Sequence, residues 1–215
     1  MTCQHTLFAP DETPAFLSPA DGSPVVLFQP VLDTFAHRVL AHECVVRTAE
    51  PVEPARVQMC AMRSAAAQNP DGLYLIPLSP TAIDDPPGTV LPPANLIFDV
   101  GESDLMADPR RWLKIRDNLR TRGFSFALSG AGPESFPNLH DFAPEYIRID
   151  KRLVRSIDRP DCGATVSKLV RLAEDSGAHL IATGVDRRRM LENLWLLGIQ
   201  FMQGDLFGHP SPRVI

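Results

Sequence analysis

Short apolar runs typical of buried strands alternate with amphipathic stretches over the second half of this chain. Between the runs, apolar residues recur at helical spacing, as in Trp112, Ile115 and Leu119. This repeated strand–helix order predicts a largely parallel sheet covered by helices. The runs that we interpret as strands are Asn95–Val100, Phe124–Leu128, Tyr146–Ile149, Leu180–Val185 and Ile199–Gln203.

The intervening helices carry recognisable start and stop signals. Asp108 followed by Pro109 predicts a helix start, and Gly123 predicts its end. Gly177 and Gly198 end two further predicted helices in the same way. These two helices span about Asp161–Ser176 and Arg187–Leu197.

The first half of the chain is less regular. Val25–Val31 and Arg38–Arg47 are β-rich runs around a short polar turn, which predicts an antiparallel hairpin. A helix over Glu53–Gln68 and a strand over Leu73–Leu78 are expected to follow. The stretch Pro80–Pro93 is too rich in proline for a full crossover helix.

One domain is expected, because 215 residues with 44% hydrophobic content suit a single core. Residues 25–215 form this predicted domain, and residues 1–24 are predicted to be an irregular, proline-rich leader. A net charge of −5 without a basic stripe argues against direct nucleic-acid binding. No stretch is apolar enough for a membrane span, and the cysteine spacing fits reduced thiols, so we expect a cytoplasmic protein.

Five segments carry a resemblance to one family. In chain order they are LFQPVLD at Leu27–Asp33, AHECVVR at Ala41–Arg47, YIRID at Tyr146–Asp150, HLIATGV at His179–Val185 and QGDLFGHPSP at Gln203–Pro212. Together they resemble the EAL domain, the bacterial family that hydrolyses the second messenger cyclic di-GMP. The resemblance implies an α/β fold: a TIM-like (β/α) barrel of EAL type with an antiparallel strand at its start and, relative to the family, a shortened region after the first hairpin, where at least one helix is reduced to a loop.

The resemblance also implies a two-metal site where the barrel strands end. Glu43, Asp99 and Glu102 stand at acidic positions of that site and are read as remnant ligands. The other expected ligands and catalytic groups are replaced, so we expect a degenerate member without metal or cofactor. The replaced positions are Pro77, Ser129, Gly130, Arg148 and Thr183.

From these replacements we expect that the chain is not an enzyme. The favoured hypothesis is an inactive regulatory module in cyclic di-GMP signalling that binds a regulatory protein partner, with a homodimer also possible. One alternative is a cyclic di-GMP receptor that does not hydrolyse its ligand. The third hypothesis is residual phosphodiesterase activity. If the loop Ser129–Phe136 is misaligned with the family pattern, the residues to consider as substitute ligands are Glu134, Asp141 and Glu145.

Six residues match positions where the family contacts the dinucleotide. We expect weak or absent binding, because without metal only Arg47 and Arg148 are available to balance the phosphates. In the alternative interpretation Phe207 belongs to the barrel core, Arg47 forms a rim salt bridge, and Glu43 and Gln203 are hydrogen-bonded polar groups. The six candidates are Gln29, Arg47, Arg148, Gln203, Phe207 and Pro210.

Overall fold

The computed structural model describes residues 24–49, 51–79, 90–133 and 136–214, without the side chains of residues 136–138. Apart from Pro24, the predicted leader lies outside the described residues, as does Glu134. Most of the predicted shortened region also lies outside them, at residues 80–89. Within the described ranges, none of the helices is both long and apolar enough to cross a membrane.

The strands close into a barrel in chain order, which confirms the predicted TIM-like fold. β1 is antiparallel to both neighbours, β2 and β8, and the other neighbouring pairs are parallel. The described strands are β1 Val25–Asp33, β2 Arg38–Arg47, β3 Tyr74–Pro77, β4 Leu96–Gly101, β5 Ser125–Ala131, β6 Tyr146–Ile149, β7 His179–Ala182 and β8 Phe201–Met202.

Helices surround this barrel. Their bounds are α1 Pro54–Gln68, α2 Glu102–Ala107, α3 Pro109–Arg120, α4 Phe136–Phe142, α5 Lys151–Arg155, α6 Pro160–Ser176 and α7 Arg188–Leu196. The predicted longer helices are confirmed within a few residues. Three short helices, α2, α4 and α5, were not predicted from the sequence, because each is too short to show apolar periodicity.

Local hydrogen bonds explain why short helices begin where they do. The Asp150 carboxylate caps α5 by accepting a hydrogen bond from Arg152 N at 2.6 Å. Asp108 caps α3 in the same way, accepting from Arg111 N at 3.1 Å. Glu102 and Asp104 place acidic groups in the first turn of α2, where the helix dipole favours them.

The core has two layers. The outer cluster lies between the barrel and its helices and includes Phe28, Trp112 and Phe126. The inner cluster fills the barrel itself, and we call it the apolar barrel layer. Its fully enclosed members are Val31, Ala41, Leu75, Ile97, Ala127, Ile181 and Phe201.

Candidate functional site

A second layer of inward-facing side chains lies directly above the apolar barrel layer. Side chains alternate between the two faces of a strand, so the residue two positions closer to the C-terminal end of the barrel faces inward again. Because β1 runs the other way, its residue is two positions earlier, and Gln29 pairs with Glu43. We call this set the mouth layer: Gln29, Glu43, Pro77, Asp99, Ser129, Arg148, Thr183 and Gln203.

The mouth layer stands where TIM-like barrels place their functional groups, at the C-terminal ends of the parallel strands. All of its members except Pro77 have polar side chains, in contrast to the apolar layer below it. Each of its positions was singled out from the sequence, and the strand register brings them to one level of the barrel. The structure therefore unites these sequence-predicted residues in one place.

Arg148 on β6 is the centre of a buried ion-pair network. Its guanidinium Nη2 lies 2.8 Å from Glu43 Oε2, and its Nη1 donates a hydrogen bond to Asp99 Oδ2. The Arg148 and Asp99 side chains are only 7% and 9% exposed, so water screens this pair weakly. Two carboxylates from β2 and β4 thus share one cation from β6.

Amide groups extend the network across the barrel to β1 and β8. Gln203 Oε1 accepts a hydrogen bond from Arg148 Nη2 at 2.9 Å, and Gln203 Nε2 donates to Glu43 Oε2 at 2.5 Å. Gln203 Nε2 also lies 3.3 Å from Gln29 Oε1. Gln29 Nε2 in turn donates to the carbonyl of Gly208 at 3.1 Å. Gln203 therefore holds both Glu43 and Arg148, and Gln29 connects Gln203 to the backbone after β8.

Burial raises the pKa of Asp99 to about 6. The Arg148 guanidinium opposes this effect, while the neighbouring Glu43 carboxylate adds to it. The loss of hydration on burial is the largest of these effects, which explains why a proton is held more tightly than usual. Asp99 Oδ1 is buried and has no hydrogen-bond partner among the described residues. This oxygen is the uncompensated acceptor of the network.

The two hydroxyl groups of the mouth layer bond to the backbone. Thr183 Oγ1 donates to the Ile149 carbonyl at 2.7 Å, which links β7 to β6. Ser129 Oγ donates to the Val100 carbonyl at 3.3 Å, which links β5 to β4. These side chains therefore support the strands around the network.

Two glycines shape the rim. The register of β5 against β6 shifts between Ser129 and Ala131, and Gly130 has a φ of +82° there, as in a glycine bulge. At Gly204, a Cβ atom would lie 2.2 Å from the Val185 carbonyl oxygen. No side chain fits at that distance, so Gly204 is required for the turn after Gln203 to lie against β7. The sequence resemblance did not reveal either backbone role.

The remaining candidates lie around the network. Arg47 is half-buried on the same face of β2 as Glu43, four residues further along. Phe207 is partly buried and packs against the outer core cluster, and Pro210 precedes Ser211, which bridges β1 at Phe28. Glu102 lies at the start of α2, and its charge adds to the larger effect of the Asp150 hydrogen bond in raising the pKa of Arg152.

Neither proposed substitute ligand with a described position belongs to the mouth. Glu145 precedes β6, at the opposite end of the barrel, where it pairs with Arg120 at 2.6 Å and accepts from Phe126 N at 2.7 Å. Asp141 is exposed at the end of α4, 3.5 Å from His140. Glu145 therefore stabilises the base of the fold.

The mouth layer does not fit the two-metal centre that the resemblance implies. Among the described residues, no three His, Cys, Asp or Glu side chains are grouped as a metal site requires. Both carboxylates that face each other are already bound to Arg148. Pro77, from β3, offers no side-chain ligand at all.

Comparison with known proteins identifies the relatives of this barrel. The model of the EAL domain family matches residues 80–210. The chain is 32% identical over 126 residues to the cyclic di-GMP phosphodiesterase RocR of Pseudomonas aeruginosa, covering 57% of this chain and 32% of RocR. It is 32% identical over 102 residues to the cyclic di-GMP phosphodiesterase PdeL of Escherichia coli, covering 46% of this chain and 28% of PdeL.

Solved structures show the same fold. Klebsiella pneumoniae BlrP1 in its calcium and cyclic di-GMP complex superposes with a TM-score of 0.79 at 24% identity, covering 95% of this chain and 58% of that one. The FimX EAL domain of Pseudomonas aeruginosa bound to cyclic di-GMP gives a TM-score of 0.75 at 20% identity, covering 89% of this chain and 92% of that one. At these identities the likeness establishes the fold alone.

These relatives correct the functional expectation drawn from the sequence. The hypothesis of an inactive regulatory module that is not an enzyme is wrong, because the matching relatives are named as cyclic di-GMP phosphodiesterases. Replaced positions such as Ser129 and Thr183 do not by themselves show that activity is lost. The barrel still brings two carboxylates, Glu43 and Asp99, together at its mouth.

Proposed function

This chain belongs to the EAL domain family, and from that membership we propose that it binds cyclic di-GMP at the barrel mouth and acts on it as a phosphodiesterase. The observation that carries the proposal is the mouth layer, a connected set of polar groups where the parallel strands end. The names of the relatives supply the substrate and reaction class. The chain spans about a third or less of these curated relatives.

Asp99 is the proposed general base. A base works best when its pKa is near the working pH, and the pKa of Asp99 is raised to about 6. Its Oδ1 atom has no partner among the described residues, so we propose that it receives a water molecule. Arg148 and Gln203 hold the neighbouring groups in place.

The proposed step is hydrolysis of one phosphodiester bond. The water oxygen forms a bond to phosphorus while its proton passes to the Asp99 carboxylate. The bond between phosphorus and one ribose oxygen breaks, and that oxygen takes a proton from solvent. The product is the linear dinucleotide.

Arg47 and Phe207 are the proposed ligand contacts outside the network. A guanidinium pairs well with a phosphate, and an aromatic ring packs on a guanine face. Arg47 follows Glu43 on the inward face of β2, toward the open end of the barrel. Phe207 lies in the turn after β8, next to Gly208, whose carbonyl holds Gln29.

Two measurements test the proposal separately. Calorimetric titration with cyclic di-GMP measures binding, and mass spectrometry of the linear dinucleotide measures hydrolysis. We expect Arg47→Met to weaken binding by roughly tenfold, as for the loss of one charge-assisted hydrogen bond. We expect Asp99→Asn to reduce hydrolysis more than binding. Absence of both heat and product with the wild-type protein would refute the proposed function.

The pH dependence of hydrolysis provides a further check. If the Asp99 carboxylate accepts the proton, the rate rises as pH increases through about 6, because the ionised form is the active one. Asp99→Asn removes this rise. A rate that is independent of pH in this range would exclude Asp99 as the base.

We also propose a cytoplasmic location. The described cysteines, Cys44, Cys60 and Cys162, are all free thiols, which fits a reducing compartment. Fractionation of native cells with antibody detection tests this location, and recovery in a secreted fraction would contradict it.

A further inference from the structure

A positively charged side chain occupies the space between the two carboxylates of the mouth layer, where a divalent cation could otherwise bind. The guanidinium of Arg148 lies between the carboxylates of Glu43 and Asp99, with Nη2 at 2.8 Å from Glu43 Oε2 and Nη1 bonded to Asp99 Oδ2. A metal ion that bridged the two carboxylates from the space between them would have to displace this guanidinium. Arg148 and such a metal therefore compete for one pair of ligands.

The rest of the layer gives a metal little compensation. Ser129 and Thr183 direct their hydroxyl hydrogens to backbone carbonyls, and Pro77 has no ligand atom. Gln203 offers one amide oxygen, which already accepts from Arg148 at 2.9 Å. A divalent ion prefers six or more oxygen ligands, and its charge would also face the buried guanidinium.

We propose that Arg148 is the resident cation of this barrel mouth and keeps divalent metal ions from the Glu43 and Asp99 carboxylates. An arginine suits this role because its guanidinium is planar, carries several donors and does not lose its charge in proteins. Its two terminal nitrogens contact two different carboxylates and one amide at the same time. A compact ammonium group cannot span the same three partners so well.

The proposal concerns metal binding without nucleotide, so it stands apart from the proposed function. Its test is a titration with Mn²⁺ alone, followed by electron paramagnetic resonance of the free ion. We expect no saturable binding to the wild-type protein in the micromolar range. Arg148→Met keeps an apolar side chain of similar length and frees both carboxylates, so we expect Mn²⁺ to bind at least about tenfold more tightly.

Arg152→Met is the matched control. Arg152 lies four residues further along and is bound to the Asp150 carboxylate at 2.9 Å, with 87% of its own side chain exposed. Its replacement removes an equal charge from the rim without opening the mouth layer. We expect no gain of Mn²⁺ affinity in this variant.

Two results overturn the proposal. One is micromolar Mn²⁺ binding by the wild-type protein that is lost in Glu43→Gln, since the carboxylates are then open to metal despite Arg148. The other is a folded Arg148→Met variant with no increase in affinity. If Arg148→Met does not fold, the wild-type titration and Arg148→Lys decide. Lysine cannot contact both carboxylates as the guanidinium does, so we expect tighter Mn²⁺ binding than in wild type, and a folded Arg148→Lys variant without any gain refutes the idea, as does micromolar binding by wild type.

Discussion

A polar cluster lies at each end of the barrel, and the two clusters differ in how fully their buried carboxylate oxygens are hydrogen-bonded. At the base, Asp33 Oδ1 accepts hydrogen bonds from Phe35 N at 3.2 Å, Ala36 N at 3.0 Å and Gln200 Nε2 at 2.7 Å. At the mouth, Asp99 holds Arg148 with Oδ2, but its Oδ1 has no partner among the described residues. Both carboxylates are buried in the protein.

Their pKa values shift in opposite directions for this reason. Hydrogen bonds from Ala36 N and the Gln200 amide lower the pKa of Asp33, whereas burial raises that of Asp99 to about 6. A carboxylate whose acceptor sites are filled is stable as a charge and has a structural role. A buried carboxylate with an unfilled site is available for chemistry. The comparison therefore separates the base, where Asp33 Oδ1 accepts three hydrogen bonds, from the mouth, where Asp99 Oδ1 has no partner among the described residues.

The largest expected effect comes from breaking the mouth network. Arg148→Met leaves Glu43 and Asp99 buried without their cation, and loss of one partner of a buried pair costs about 3–5 kcal/mol. For a chain of this size we expect the unfolding temperature to fall by roughly 6–20 °C. Calorimetry or circular dichroism at pH 7 measures the change. A decrease no larger than that of Arg152→Met would show that the network contributes little.

Breaking the base cluster is expected to have the next largest effect. Asp33→Ala removes the acceptor of two backbone N–H groups and of Gln200, so the unfolding temperature decreases. Cyclic di-GMP binding, measured by calorimetry below the unfolding transition, is expected to stay unchanged because the base does not contribute to the mouth. Weaker binding in this variant would contradict the separation of roles between the two ends.

The contributions of Asp99 and Asp33 to the free energy of unfolding are expected to change in opposite directions with pH. The folded protein holds the Asp99 proton up to about pH 6, while the unfolded chain loses it near the ordinary value of 3.8. The folded state therefore binds more protons between these values, and the Asp99 contribution to the free energy of unfolding falls as pH rises, by up to about 3 kcal/mol. Asp33 acts in the opposite direction: its stabilisation is present above 3.8 and is lost as pH falls below it.

Urea unfolding between about pH 3 and pH 7 measures these slopes. Relative to wild type, Asp99→Asn is expected to become less destabilised as pH rises from 4 to 6. Asp33→Asn is expected to have a lower free energy of unfolding than wild type at neutral pH, and this difference is expected to disappear only at acid pH. Parallel curves for the two variants would show that the two ends do not differ as described.

The smallest effect is expected on the rim. The Arg152–Asp150 pair is largely exposed on the arginine side, so Arg152→Ala costs at most about 1 kcal/mol and loses this cost at high salt. Unfolding measured with and without added salt checks the prediction. A large, salt-independent loss of stability would mean that the rim pair is coupled to the buried network.

Much of the fold could be predicted from the sequence because it rests on local signals. Pro109 and Gly123 mark the ends of the α3 region, and Tyr146–Ile149 is both the predicted and the observed strand. The short helices α2 and α5 escaped prediction because so few residues show no apolar periodicity, and α5 begins at the Asp150 cap. Their boundaries depend on single groups such as the Asp150 carboxylate.

The members of the candidate site could also be found from the sequence, but their partnerships could not. Glu43 and Asp99 were read as remnants of a metal site, and only the strand register shows that Arg148 lies between them. Gly130 was read as a lost ligand, yet its backbone forms a bulge with a φ of +82°. A resemblance identifies residues one at a time, whereas the charge balance of the site depends on which side chains contact one another.

The close approach at Gly204 has a mechanical consequence for the mouth. Gly204 lies against the Val185 backbone, while Val185 N donates to the Gln203 carbonyl at 3.0 Å and Leu206 N donates to the Val185 carbonyl at 3.1 Å. The end of β7 and the turn after β8 are therefore clamped together on both sides of the glycine. We expect them to move as one rigid wall, so that any opening for a ligand takes place by displacement of the other loops against this wall.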